Sequence, residues 1–229
     1  MTNLTLNIKN LTPAAHTALM ENSFRKTYSH NEYVYLQDDE VIGLHVVASG
    51  HIRLSYLMED GTAVIYRILP KGECFGELAV FDRGNQCDMA TSLGESVVLT
   101  VPIRTFRDLA KRYPEIEAAL GHLVADRYRD YVELTRILSL SSLSARLSQS
   151  ILRLVDKLGT TAVVKGRKVP AIGSIVTQSD LGLMARGARG NVNRTLKEWE
   201  QRGWVAVRDR EILILDREKL NAVSFNDEP

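Results

Sequence analysis

The sequence predicts an α+β chain in three parts: an N-terminal β-module, one long helix, and a small C-terminal domain of short helices closed by a β-hairpin. Three observations carry this expectation. Between Phe24 and Pro102, short β-prone runs alternate with turn signals at a spacing of roughly ten residues. From Glu115 to about Leu138 a helical rhythm runs with no Gly or Pro except Gly121. From Val176 onward, two short helical segments are followed by two β-prone runs flanking a charged tip. At 229 residues the chain exceeds the usual single-domain size, so two cores are expected. The expected boundaries are 1–114 for the β-module with flanking helices, 115–140 for the long helix and a hinge, and 141–229 for the C-terminal domain.

In order, Thr12-Pro13 is an N-cap followed by Pro at the first helical position, which starts a helix running to Met20. The β-prone runs are Tyr33 to Leu36, Gly43 to Ala48, His51 to Leu57 and Thr62 to Leu69, separated by turns at 37–40, at Ser49-Gly50 and at Asp60-Gly61. Their spacing suits a sandwich or barrel. Gly72 to Phe81 reads as a turn leading into a short apolar segment, Asp82 to Asp88 as a loop, and Met89 to Ser92 with Val97 to Val101 as a last strand pair. A short helix around Arg104 to Tyr113 precedes Pro114.

The long helix carries two stripes of the same rhythm. Leu120, Val124, Arg127, Tyr131, Leu134 and Leu138 form one, and Ala118, Gly121, Ala125, Tyr128, Val132 and Thr135 the other. Two stripes need two surfaces, one on the β-module and one on the helix of a second copy, with the small residues allowing close approach. The expected dimer seam is therefore Ala118, Gly121, Ala125, Tyr128, Tyr131, Val132 and Thr135; burial of both stripes within a monomer is the alternative. Ser139-Leu140-Ser141-Ser142 reads as a hinge, Leu143 to Leu158 as an amphipathic helix, Thr160 to Ser174 as a small hairpin, and the tail after Ala222 as disordered.

Thr177 is an N-cap with Asp180 three residues on, and Val176 and Leu181 are spaced for a hydrophobic staple, so a helix starts at Gln178. Leu181, Met184 and Ala185 share one side of it, and Arg186-Gly187-Ala188 makes room for a turn. In the next helix, from about Arg189 to Arg202, Val192, Leu196 and Trp199 form the buried face and Gly203 supplies a C′ residue of positive φ. Gly190, Arg194, Lys197 and Gln201 lie opposite, flanked by Arg189 and Asn193. Arg donates twice to guanine, Asn pairs with adenine, and lysine neutralises phosphate, so this face suits the major groove of double-stranded DNA. Taken alone, an ordinary αα-hairpin with a solvated basic face fits equally well. Trp204 to Val207 and Ile212 to Leu215, around Arg208-Asp209-Arg210-Glu211, add a wing beside the helix and favour DNA. The expected contacts are Thr177, Gln178, Arg189, Gly190, Asn193, Arg194, Lys197 and Arg208.

The net charge of +1 conceals an asymmetry. Residues 141–229 carry 15 Lys and Arg against 10 Asp and Glu, whereas residues 1–140 carry 14 against 18, so the excess of cations coincides with the helix pair. Cys74 and Cys87 are too few for a disulfide framework or an iron–sulfur centre, although one bridge between them stays open. The five histidines show no metal spacing, so no metal or other cofactor is expected. Neither a membrane-length apolar run nor, at Met1-Thr2-Asn3-Leu4-Thr5, a leader pattern is found, which suits a cytoplasmic protein without membrane partners. No nucleophile, base and orienter assemble, so no catalytic residue is assigned and an enzyme is not expected.

The order of β-module, long helix, hinge and winged helix-turn-helix resembles the cyclic-AMP receptor and fumarate–nitrate regulator (Crp/Fnr) family of bacterial transcription factors. The resemblance spans Phe24 to Leu215, and its most specific piece is GECFGELAVF, Gly72 to Phe81, similar to the family's phosphate-binding cassette; Val192-x-Arg194-x-Leu196 supports it. It implies a β-roll of jelly-roll type and a homodimer that binds a palindromic promoter site and meets RNA polymerase, with Glu59 and Asp60 at a hairpin tip as the polymerase contact. In the second helix the family pattern has Glu where this chain has Gly190. In the cassette, binders of cyclic nucleotides hold the phosphate with Arg followed by Ser or Thr, and this chain has Cys87 and Asp88. Gly76, Glu77 and Leu78 are kept, Tyr131 and Val132 replace hydroxyl contacts to the purine, and the pocket formed with Cys87 and Asp88 reads as degenerate. The leading expectation is a regulator that works without a cyclic nucleotide. The alternatives are a regulator that still answers to a cyclic nucleotide or another small molecule, a thiol switch at Cys87, and a regulatory module that docks on a partner enzyme.

Overall fold

A computed structural model describes residues 11–164 and 166–224. The N-terminal stretch read for a leader, Lys165, and the end of the expected disordered tail, 225–229, lie outside the described residues. Two compact units divide the chain inside the long helix, between Tyr131 and Val132, with Val64–Tyr66 counted with the second.

In the first unit, helix α1 (Pro13–Glu21) starts where Thr12 Oγ1 accepts from Ala15 N at 3.2 Å. Strands β1 (Phe24–Tyr28), β2 (Tyr33–Tyr35), β3 (Gly43–Leu57), β4 (Ala63–Leu69), β5 (Cys74–Phe75) and β6 (Met89–Pro102) form one sheet ordered β1-β6-β3-β4, with β2 on β6 and β5 on β3. Two expectations are corrected here. Ser49-Gly50 is not a turn between strands, and Met89–Ser92 with Val97–Val101 is not a strand pair: β3 and β6 are each continuous and pair from Gly43↔Pro102 to Ser55↔Met89. Gly50 sits in a bulge at φ 78°, where a Cβ would come within 2.4 Å of Ser96 Oγ, so the glycine serves a close approach between strands. The Asp60-Gly61 turn is as expected, with Met58 N donating to Thr62 O at 2.9 Å. Strand β1 was not foreseen; four of its five residues are exposed, so it carries no alternation.

Helix α2 (Glu77–Asp82) follows a left-handed Gly76, and α3 (Ile103–Arg112) precedes α4 (Glu115–Leu138). A core of Leu19, Leu44, Val46, Val101, Phe106 and Leu109 receives Ile116 and Leu120 of α4. The buried line of α4 is Ile116, Ala119, Leu120, Arg127, Asp130, Leu134 and Ile137. It is shifted from the expected first stripe, since Val124 and Leu138 are half-buried and Tyr131 is 57% exposed.

In the second unit, Ser142 caps α5 (Leu143–Leu158), accepting from Ala145 N at 3.1 Å. Strands β7 (Thr161–Val164) and β8 (Arg167–Ile172) lead to α6 (Gln178–Ala185), α7 (Arg189–Gln201), β9 (Val205–Arg208) and β10 (Glu211–Ile214). The wing is thus part of a four-stranded sheet ordered β7-β8-β10-β9 rather than a lone hairpin. An unforeseen α8 (Arg217–Ala222) packs on α5, where Arg217 grips Asp156 with two bonds of 2.8 and 2.7 Å. The connector before α5 is bonded by Arg146, which donates to Leu140 O at 2.8 Å, to Ser141 O at 2.7 Å and to Ala185 O, the last residue of α6, at 2.9 Å.

Candidate nucleic-acid interface

The α6–α7 pair is set by local chemistry. Thr177 Oγ1 accepts from Asp180 N at 3.1 Å and Asp180 Oδ2 accepts from Thr177 N at 2.8 Å, a complete capping box that fixes the start of α6. The left-handed residue of the turn is Arg186, at φ 51°, rather than Gly187. The glycines are needed for space: a Cβ on Gly182 would lie 2.5 Å from Gly187 O, and one on Gly187 would lie 2.4 Å from Leu143 Cδ1. Val192, Leu196 and Trp199 are buried at 2% exposure or less and hold α7 to the unit's core.

The outward face of α7 is as expected. Arg189, Gly190, Arg194 and Lys197 are exposed, and Asn193 is half-buried with its Oδ1 accepting from Gln178 Nε2 at 3.5 Å. Arg202 is tied to Glu198 at 2.6 Å and lies over the Trp204 ring, so it belongs to the helix end rather than to this face. Beside the face, Arg208 pairs across the wing with Glu211 and leaves a two-residue tip, Asp209-Arg210, at φ 48° and 66°. Positive φ at both tip residues marks a type I′ turn, normally Asn-Gly or Asp-Gly, so Arg210 stands where glycine is favoured. A cavity of about 500 Å³ lies between wing, α6 and α7, lined among others by Ser174, Thr177, Gln178, Ser179, Arg189 and Arg210. Two guanidinium groups and three hydroxyls around one cleft form a surface suited to phosphate. Arg210 was missed in the sequence because only the backbone reveals the strained turn.

The expected seam on α4 is open in the single chain. Tyr128 is 71% exposed and Val132 53%, with Ala118, Tyr131 and Thr135 also exposed and Gly121 and Ala125 half-buried. In the β-module, Glu77 is buried and accepts from Arg127 Nε at 2.5 Å, while Arg127 Nη2 donates to Cys74 O at 3.0 Å. Arg67 pairs with Asp130 and, at 2.8 Å, with Glu73; burial and the nearby Arg127 lower its pKa to about 10. The loop is exposed at Asp82, Arg83, Asn85 and Cys87, but Asp88 at its end is buried and accepts from Tyr35 OH at 2.9 Å. Leu78 is half-buried, and Arg83 of the same loop is exposed in a left-handed conformation. Arg127, Arg67, Asp130 and Tyr35 were not singled out from the sequence as functional; the available signal was a charged residue, Arg127, inside an otherwise apolar stripe.

Both cysteines are free thiols, Cys74 buried and Cys87 exposed, so no bridge joins them. Partial burial and the Asp88 carboxylate push the Cys87 thiol up to about 11, which leaves little thiolate at neutral pH and speaks against a thiol switch. No group of His, Cys, Asp and Glu among the described residues could hold a metal ion, and no helix among them is long and apolar enough to cross a membrane.

Comparison with known proteins finds two family models, a cyclic nucleotide-binding domain over residues 25–113 and a Crp-like helix-turn-helix domain over residues 145–223. The chain belongs to the Crp/Fnr family. The CRP-like cAMP-activated global transcriptional regulator of Mycobacterium tuberculosis is 24% identical over 208 residues, covering 91% of each chain. The cyclic AMP receptor protein of Thermus thermophilus is 23% identical over 202 residues, covering 88% of each. Among solved structures, the c-di-GMP-responsive global regulator CLP of Xanthomonas campestris superposes with a TM-score of 0.76 at 16% identity, covering 89% of this chain and 99% of that one. A CRP-family transcriptional regulator of Thermus thermophilus gives 0.70 at 22% identity, covering 88% and 97%. The protein is accordingly a Crp/Fnr-type DNA-binding transcription regulator with a cyclic nucleotide-binding-like domain and a helix-turn-helix domain.

Proposed function

We propose that this Crp/Fnr regulator acts in the cytoplasm as a homodimer, inserts one α7 into each half of a palindromic promoter site, and does so without a cyclic nucleotide. The observation that carries the reading is the donor face of α7, Arg189, Arg194 and Lys197, exposed beside Arg208 and Arg210 of the wing. Thr177 and Gln178 at the start of α6 supply backbone contacts. The stripe of exposed Tyr128 and Val132 with half-buried Ala125 supports a second copy on α4, which would pair the two reading helices. Exposed Glu59 and Asp60 at the β3–β4 tip are offered as the RNA polymerase contact.

The β-module's side chains disfavour an anionic ligand. Glu77 is engaged by Arg127, and where the family resemblance puts the phosphate contacts stand a neutral thiol, Cys87, and a buried carboxylate, Asp88. A carboxylate about 4 Å from a phosphate adds repulsion of about 4 kcal/mol at an effective dielectric near 20, enough to remove most of a micromolar affinity. The test is to select an operator from random duplex DNA with purified protein, then titrate cyclic AMP and cyclic GMP calorimetrically and in operator binding. The expected result is a palindromic site, no heat of binding, and unchanged operator affinity. Micromolar binding of either nucleotide with tighter operator binding would overturn the effector-free reading. A dimeric Ala125→Glu protein with normal operator affinity would overturn the seam, since an unpaired buried carboxylate costs several kcal/mol.

A further inference from the structure

The reading face of α7 has a gap near its N-terminus and a carboxamide beside the gap. Gly190 has no side chain, and a Cβ there would meet no atom within 4 Å. At 100° per residue, Asn193 falls between Arg189 and Lys197 around the helix, inside the arc of exposed donors, whereas Asn191 falls on the opposite flank. Arg189, Arg194 and Lys197 are donors only; within the first two turns Asn193 is the one residue of this arc that both donates and accepts. Its Oδ1 accepts from Nε2 of Gln178, the first residue of α6, inside the Thr177–Asp180 capping box.

We propose that Asn193, positioned by Gln178, reads an adenine in each half-site, at the base pair that Gly190 leaves without a side chain. The inference rests on the DNA-reading role of α7 given above. An asparagine pairs with adenine by accepting from N6–H and donating to N7, an arrangement no other base offers in the major groove. Oδ1 has two lone pairs, so the bond from Gln178 leaves one for the adenine N6–H and leaves both amide hydrogens free for N7. The same bond, long at 3.5 Å, biases the carboxamide toward presenting Oδ1 on the Gln178 side, and so favours adenine over a base that presents the reverse order of donor and acceptor. Gln178 comes from a capped helix that also lines the cleft, so it holds the amide before DNA arrives. A missing side chain at position 190 lets the groove floor approach Asn193, whose stem is too short to reach past a bulky neighbour one turn away.

The experiment is site selection from random duplexes with the full chain and with its Asn193→Ala and Gln178→Ala variants, followed by anisotropy titrations at fixed salt. The wild-type site should carry an A·T pair at one symmetric position of each half-site. Asn193→Ala should lose discrimination there by about 5- to 150-fold, as for one bidentate contact, with the guanine preference due to Arg194 intact. Placing 7-deazaadenine at that position, which removes N7, should weaken the wild type and leave Asn193→Ala unaffected. Gln178→Ala should relax the same pair by a smaller factor and no other pair, beside a uniform loss of affinity from the backbone contact proposed for Gln178 itself. A merely structural Gln178–Asn193 bond would leave discrimination at every pair unchanged in both variants, whatever the uniform loss of affinity, and that outcome overturns the inference while leaving DNA reading in place. A selected site in which Asn193→Ala shows no change at any pair does the same. A wild-type protein that selects no site overturns both.

Discussion

Arg127→Met tests how the long helix is held to the β-module. The Arg127 and Glu77 side chains are 7% and 4% exposed, and the guanidinium also serves the carbonyl of Cys74. Removing it leaves the Glu77 carboxylate buried without its cation, a loss of about 3–5 kcal/mol. In a unit of this size that should lower the thermal midpoint by about 10–20 °C. Replacing both members, Glu77→Met with Arg127→Met, removes the desolvated charge as well as its partner and should recover most of the loss. Differential scanning calorimetry of the four proteins, wild type, two singles and the double, gives the coupling directly. A single-variant loss below about 1 kcal/mol, or a double no more stable than the sum of the singles implies, would refute the assignment of a buried, mutually dependent pair.

His45 is fully buried, stacks on Phe75 at 5.0 Å and meets Thr100 Oγ1 at 2.9 Å, and burial lowers its pKa from 6.5 to about 4. The folded state refuses a proton that the unfolded chain accepts, so stability is complete above about pH 6.5 and falls by about 3 kcal/mol as pH drops toward 4. Urea melts at pH 7 and 4.5 should show a smaller drop for His45→Gln than for the wild type; parallel drops would assign the pH sensitivity elsewhere. At the wing tip, Arg210→Gly relieves a left-handed arginine and should stabilise the second unit by about 1 kcal/mol, while the lost cation weakens DNA binding and reduces its salt slope by about 1. Equal stability with an unchanged salt slope would remove both the strain and the phosphate contact from the account.

What was legible in the sequence was local. The ends of α6 and α7 follow from Thr177, Asp180 and Gly203, each acting within three or four residues, and the buried face of α7 from a period of 3.6. Strands β3 and β6 were each read as two because Ser49-Gly50 and the stretch around Gly94 carry turn chemistry; only the long pairing between them shows the glycines as irregularities within strands. Arg127 was placed in an apolar stripe because its partner, Glu77, lies 50 positions away in sequence. The exposed donor face of α7 was visible because its residues lie on consecutive turns of one helix. The bond from Gln178 to Asn193 spans 15 positions and needed the turn geometry to appear.

The Arg146 clasp bears on how such a chain can be recombined. One side chain binds the carbonyls of Leu140 and Ser141 and the last carbonyl of α6. A chimera cut after Ser141 would therefore draw the arginine and two of its three acceptor residues from different parents. A crossover upstream, where the compact units part between Tyr131 and Val132, keeps the three carbonyls and the guanidinium in one inheritable block. Swaps of DNA-reading modules between relatives should survive with junctions inside the long helix and fail with junctions at the serines.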